Sequence, residues 1–242
     1  MQSSQTAGET AGLLTALRRE AAGRGLDLVG VVDAAAYDRA APSGHRIGEV
    51  WPGTGVAVVI GSAGPLYWSR FRVARPGTLP PKGQGDPLDD FTIESVAPLR
   101  AMLRAAGYAE QTLYPFFGAD HALSFRALGS AAGFGAMSVL GLVIHPAFGP
   151  WIAARAAILT DAPLEVTRPL DSFDPCRDCP APCIAVCPGG AFPEGRWAAE
   201  PCLAAKRAQE VCRSSCLSRI HCVYGEEYQY GPEEMAYYST YP

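Results

Sequence analysis

The chain has 242 residues and a formal net charge of −4. It has room for one sizeable domain and a small one, and it carries no basic stripe of the kind that grips phosphate backbones. Its longest apolar runs, VAVVIG and VLGLVI, fall far short of a bilayer span, so neither a nucleic-acid partner nor a membrane is expected.

Hydrophobic residues make up 48% of the chain and charged residues 18%, enough for a buried core. Met1 opens a polar stretch, MQSSQTAGET, with no basic start and no apolar signal core. Secretion is therefore not expected, and a cytoplasmic location is. Residues 8–24 read as an amphipathic helix, with Leu13, Leu14, Leu17 and Ala21 on one face. Gly25 ends it. LDLVGVVD (26–33) reads as a strand and GVAVVIGS (55–62) as a second, more buried one.

The stretch 63–87 is rich in glycine and proline and carries Tyr67, Trp68, Arg70, Phe71 and Arg72. It reads as a long loop. Loops of that length are often lids or binding loops; the alternative is a surface loop pinned by its aromatics. Residues 89–108 read as a helix capped by Asp89 or Asp90 and stopped by Gly107. A strand is expected at 111–116, a helix at 121–134, and strands at 137–146 and 151–161, with HPAFGP as the hairpin or bulged turn between the last two. These elements do not repeat as strict βαβ units, so the fold class is α+β, a sandwich rather than a doubly wound sheet. The stretch after Pro163 reads as a linker, which puts one domain at 1–170 and a module at 171–242. Within the module 204–211 reads as a helix. The tyrosine-rich tail shows no strong period and is expected to pack back on a neighbouring surface.

All eight cysteines follow Pro175, in two groups. The first is Cys176, Cys179, Cys183 and Cys187, in CRDCPAPCIAVCPGG. The second is Cys202, Cys212, Cys216 and Cys222. The first run is one residue longer than the ferredoxin run, in which three thiolates hold one iron–sulfur cube and the fourth reaches another. Disulfides suit small secreted chains, which this is not. Zinc commonly takes paired CxxC motifs, and only one CxxC occurs. Eight thiols match two four-iron four-sulfur clusters with none left over. No dinucleotide or phosphate-loop motif is present. His45, His121, His145 and His221 show no ligand spacing, although His221 abuts Cys222 and is placed to reach a cluster sulfur. Arg126 and Arg155 sit among small apolar residues, where a cation needs an anionic partner. Tyr67, Trp68 and the HPAFGPW segment, with His145 and Trp151, have pocket-type composition and are the candidate cofactor-binding residues.

LGSAAGFG, then LGLVIHPAFGPWIAARAAILTDAPLE, then a cysteine run ending in CP resemble the epoxyqueuosine reductases, relatives of the reductive dehalogenases. The resemblance covers most of residues 20–225. It is strongest to a shorter ferredoxin-like branch that shares PLDDF and IHPAFGPW. It implies a nitroreductase-like core holding cobalamin, followed by a two-cluster ferredoxin-like module that feeds electrons to the cobalt. It also implies that the fourth cysteine of each motif crosses over. Cys176, Cys179, Cys183 and Cys222 then share one cluster, and Cys187, Cys202, Cys212 and Cys216 the other. The family's catalytic aspartate falls one position from Asp120, the candidate proton donor; the alternative role for Asp120 is to cap the helix that follows. The chain departs from the family in the residue added between Cys179 and Cys183, in Val223 where proline follows the last cysteine, and in lacking the long extension past the clusters. It is thus expected to be a relative of the epoxyqueuosine reductases rather than one of them. The implied activity is reduction of a small-molecule substrate or of the corrinoid itself, with an external donor such as a flavodoxin or ferredoxin. The alternatives are a plain electron-transfer ferredoxin and a flavin-dependent reductase with FMN on the same core.

Overall fold

A computed structural model describes residues 2–77, 79, 85–117 and 123–239, with side chains from residue 10 onward. The chain divides into two compact units, and both are assembled from three separate stretches. The first takes residues 1–62, 88–134 and 153–169. The second takes 63–87, 135–152 and 170–242. Among the described residues, no helix is long and apolar enough to cross a membrane.

The first unit is built on a four-stranded sheet. Its strands are β1 (Leu28–Asp33), β2 (Val56–Ala63), β3 (Glu110–Leu113) and β6 (Ile152–Thr160), in the order β1-β2-β6-β3. β1 pairs antiparallel with β2, from Leu28 opposite Gly61 to Asp33 opposite Val56. β3 pairs antiparallel with β6, from Glu110 opposite Thr160 to Leu113 opposite Ala157. Every residue of β2 is buried. Its unbroken VAVVIGSA run is what a strand covered on both faces requires. Helix α1 (Gln2–Gly23) turns Leu14, Leu17 and Ala21 inward. Helix α5 (Pro87–Ala105) buries Leu88, Thr92, Ser95, Val96, Leu99 and Leu103 at spacings of three and four. Each such leucine contributes about 1.5–3 kcal/mol by leaving water. Asp89 and Asp90 fall in the first turn of α5, behind Pro87 at its start, where carboxylates favour the helix dipole. Short helices α2 (Ala34–Ala40), α3 (Ile47–Val50) and α6 (Phe125–Ala131) complete this unit. A Cβ on Gly30 would come within 2.1 Å of the Ala132 carbonyl, so glycine is what lets β1 meet the end of α6.

In the second unit, the stretch expected as a long loop contains helix α4 (Leu66–Ala74), which buries Tyr67, Trp68 and Phe71 on one face. The run expected as one strand over 137–146 is instead a small hairpin, β4 (Ala136–Met137) with β5 (Val143–Ile144), which turns at Gly141 with φ +69°. The HPAFGP segment closes as a tight turn, with the His145 and Gly149 amides donating to each other's carbonyls at 2.9 Å, but it does not join a hairpin of the two flanking strands, because β5 and β6 lie in different sheets. α7 (Pro182–Ala185), α8 (Ala199–Ala208), α9 (Glu210–Ser214) and α10 (Leu217–Ile220) are short helices among the cysteines. The helix expected at 204–211 is broken at Gln209, whose backbone is extended. The tail forms helix α11 (Pro232–Ser239), packed as the tyrosine content led us to expect. Trp68 packs tilted against Tyr237 with 5.0 Å between ring centroids, and its indole N–H donates to Glu233 at 3.3 Å.

Candidate functional site

The cysteine run of CRDCPAPCIAVCPGG folds as a sequence of tight turns. Cys176 N–H donates to the Asp174 carboxylate at 3.2 Å, and Cys179 N–H donates to the Cys176 carbonyl. The residue added relative to the ferredoxin spacing falls in Pro180–Pro182. There Ala181 adopts a left-handed backbone, φ 52° and ψ 51°, ahead of Pro182 at the first position of α7. A left-handed alanine costs about 1–2 kcal/mol. Its amide lies 3.4 Å from the Cys179 sulfur, and Ala191 N–H lies 3.5 Å from the Cys187 sulfur.

All eight cysteines are free thiols. Burial raises the pKa of the Cys183 thiol, and the Cys222, Cys179 and Cys176 thiols push it further the same way. Cys222 is raised by burial and by Cys179 and Cys176, against a backbone hydrogen bond at Tyr224. Cys212 is raised by burial, then by Cys187, Cys202 and Cys216. Cys216 is raised by burial and by Cys202 and Cys187, while the Arg219 amide and guanidinium act in the opposite direction. By their neighbours the thiols therefore sort into two sets of four. One is Cys176, Cys179, Cys183 and Cys222; the other is Cys187, Cys202, Cys212 and Cys216. Among the described residues no three His, Cys, Asp or Glu side chains converge at the distance of a single metal ion. An iron–sulfur cube is larger than an ion and takes its thiolates further apart.

The first set opens on a cavity of ≈ 40 Å³ walled by Val139, Leu140, Ile144, Cys183 and Tyr224. One water needs roughly 10–15 Å³, so the space exceeds that of a lone ion. Cys183 is 5% exposed, in a cluster with Leu140, Ile144, Ala191 and Phe192, and Cys187, Cys202 and Cys222 pack on the same cluster. The two sets thus border one apolar core.

The remaining candidates lie as follows. Tyr67, Trp68 and Trp151 are 1%, 7% and 0% exposed, in the same unit as the cysteines. Trp151 packs on Tyr230 and Met235 and Trp68 on Tyr237, so these two rings are covered by the tail. His145 Nδ1 accepts the amides of Ala147 and Phe148 at 3.0 and 3.1 Å, and burial lowers its pKa. His221 Nδ1 lies 2.9 Å from the Leu217 carbonyl, so that nitrogen is engaged by backbone rather than by sulfur. Arg155 is buried and donates to Ser62 Oγ at 2.9 Å. Arg126 is exposed, against the expectation of an apolar setting. Asp120 and His121 lie outside the described residues. The sequence reading missed Arg219, whose guanidinium sits 4.7 Å from the Trp151 ring centroid and 4.6 Å from that of Tyr230.

No family model matches the chain, and no curated protein does. Solved structures do. An epoxyqueuosine reductase bound to an epoxyqueuosine-modified tRNA-Tyr stem loop is 17% identical, with a TM-score of 0.64 over 92% of this chain and 68% of its own. An epoxyqueuosine reductase from Bacillus subtilis, with its catalytic aspartate loop swung out of the active site, is 18% identical at 0.64, over 92% and 68%. A reductive dehalogenase whose structure points to a mechanism for B12-dependent dehalogenation is 18% identical at 0.55, over 93% of this chain but 35% of its own. This chain has their fold. The neighbours are reductases, and the α+β reading and the resemblance noted in the sequence agree with that. One of them binds a tRNA stem loop, so a weakly acidic composition does not by itself set nucleic acid aside for this fold.

Proposed function

We propose that this chain is a redox protein. In this reading the module at 171–242 is ferredoxin-like and carries two four-iron four-sulfur clusters. Their electrons pass to a cobalamin held with the nitroreductase-like domain at 1–170, to reduce a small molecule or the corrinoid itself. The carrying observation is the sorting of eight thiols into two sets of four. It supports the crossed ligation, with Cys176, Cys179, Cys183 and Cys222 on one cluster and Cys187, Cys202, Cys212 and Cys216 on the other. The donor set fits, since four soft thiolates are what such a cluster requires. Bound clusters supply one-electron transfer. The chain's own part is to release thiol protons on loading, to exclude water with Leu140, Ile144 and Phe192, and to aim the Ala181 and Ala191 amides at ligand sulfurs. Hydrogen bonds to sulfur are one of the settings of cluster potential.

The corrinoid part rests on the shared fold with a B12-dependent dehalogenase. Tyr67, Trp68 and Trp151 are buried and do not offer it an open cradle as they stand. Asp120 is the proposed proton donor, on the family resemblance carried by the sequence around it. The proposed setting is the cytoplasm, where thiols stay reduced, with a flavodoxin- or ferredoxin-type donor.

The test is anaerobic reconstitution followed by iron and sulfide analysis and cobalamin titration. About eight iron and eight sulfide per chain are expected, with a shifted cobalamin spectrum. About four of each removes the two-cluster reading. An unshifted spectrum removes the corrinoid. Full turnover by Asp120→Asn with cobalamin bound removes the proton-donor role.

A further inference from the structure

Helices α8 and α9 pack against each other and carry Cys202 and Cys212, both half-buried. The solvent side of this corner is basic. Leu203 and Arg207 stand four apart on α8 and share a face. Arg207 is exposed, and Arg213 Nη1 donates to the carbonyls of Lys206 and Arg207 at 3.4 and 3.1 Å. That clamp fixes the Arg213 cation at the C-terminal end of α8, where positive charge suits the helix dipole. Among the described residues no carboxylate pairs with Arg207 or Arg213. Two exposed carboxylates belong to the same helices, Glu200 in the first turn of α8 and Glu210 in the first turn of α9. Glu200 stands about 10 Å along the helix from Arg207. α9 also packs on α11, whose Glu233 is taken by Arg72. Leu203 and Val211 are each 37% exposed, so apolar surface is interleaved with the cations. The first cysteine run is flanked with the opposite sign. Asp171, Asp174 and Asp178 are exposed around Cys176 and Cys179, and the one cation among them, Arg177, pairs with Asp174 at 3.4 Å.

We propose that the α8–α9 corner is where a small electron-carrier protein with an acidic surface, of the flavodoxin type, docks and delivers its electrons. The proposal rests on the redox reading above and assigns the partner a surface. An acidic carrier is drawn to Lys206, Arg207 and Arg213 and repelled by the aspartates of the first run, so the signs choose one approach of the two. Leu203 and Val211 supply apolar contact, and transient electron-transfer complexes need only a small interface. A nucleic-acid backbone calls for a longer basic stripe than three cations, which favours the protein carrier. In the transfer, one electron leaves the reduced flavin of the carrier and enters the oxidised cluster held by Cys202 and Cys212; no covalent bond forms or breaks. The charges act on the rate of encounter.

The experiment is anaerobic stopped-flow mixing of the reconstituted full chain with a reduced acidic flavodoxin, read as flavin reoxidation, on wild type, Arg207→Glu, Arg207→Lys and Arg19→Glu. Arg19 is exposed on α1 of the first unit and repeats the change in net charge outside the module. Arg207→Glu should slow the bimolecular step roughly tenfold at low salt, and the gap should close as ionic strength rises. Arg207→Lys and Arg19→Glu should stay close to wild type. Photoreduced deazaflavin, a small neutral donor that needs no docking, should reduce all four chains equally. An unslowed Arg207→Glu overturns the proposal, whether or not that variant loses binding of an RNA stem loop. Equal slowing in Arg19→Glu, a slowing that deazaflavin shares, or loss of iron in Arg207→Glu overturns it as well. So does a wild type that deazaflavin reduces and flavodoxin does not. Wild type that takes up no iron removes the redox reading itself, so iron content separates the two failures.

Discussion

Glu110 begins β3 with its side chain 2% exposed, and it draws two arginines to it. Arg100 Nε donates to both carboxylate oxygens at 3.1 Å. Arg104 pairs with one of them, and the Thr112 hydroxyl donates to the other at 2.9 Å. Burial alone would raise the pKa of this carboxyl. The hydrogen bonds from Arg100 and Thr112 and the charges of both arginines outweigh it, and the pKa is lowered. Glu110→Gln is expected to cost roughly 1–3 kcal/mol at neutral pH, because it leaves Arg100 without its charged acceptor. A group whose pKa is depressed on folding stabilises above its unfolded value, here near 4.5, and loses that contribution as pH falls through the folded value. The gap between wild type and Glu110→Gln should therefore narrow from neutral pH toward about pH 3. Denaturant unfolding at both pH values checks this, and a constant gap would count against it. At this scale the sequence was readable where spacing carries the chemistry, as with the eight cysteines. It was opaque where the partner is remote. Nothing near Arg219 announces Pro150, 69 positions away, and the pairing of Trp68 with Glu233 spans 165.

Elements tell the same story through glycine and turn chemistry. β1, β2, β6 and α5 follow directly from apolar period and run length. Helix α4 was hidden because the glycines and prolines around it dominate composition, whereas its own nine residues contain neither. The run 137–146 looks like one apolar strand, yet Gly141 with positive φ folds it into a hairpin. Gly149 in the next turn has φ +58°, and a Cβ there would meet the Tyr224 carbonyl oxygen at 2.1 Å. Tyr224 is two residues past Cys222 and packs on the Cys183 cluster. Gly149→Ala must strain the left-handed backbone and push the Cys222 strand of chain away, at a cost of roughly 2 kcal/mol or more. The expected outcome is a lowered melting temperature and a faster loss of iron from the reconstituted protein. Wild-type iron retention by Gly149→Ala would show that this close approach does not support the thiols.

Over the whole molecule, the first unit has an apolar core of its own in β2, α1 and α5. In the second unit, by contrast, part of the apolar core is made of cysteines. Where metal ligands double as core, removal of metal loosens the fold around them. Chelation of the reconstituted chain is expected to open residues 170–239 to limited proteolysis while 88–117 and 153–169 resist. Equal protection of both regions before and after iron removal would contradict this. The sequence does not announce the make-up of the second unit, because the contacts that draw 63–87 and 135–152 into it leave no local trace in either stretch.

The order in which the stretches are synthesised has its own consequence. The last stretch of the first unit ends at Pro169, and the first cysteine is Cys176. On the ribosome, which adds about 5–20 residues per second, every residue of the first unit is made before any thiol. The sheet of β1, β2, β6 and β3 has all its strands in hand before the chain offers a ligand to iron. The thiols are thus made only after the stretches of the first unit, and they emerge behind a chain segment already able to fold.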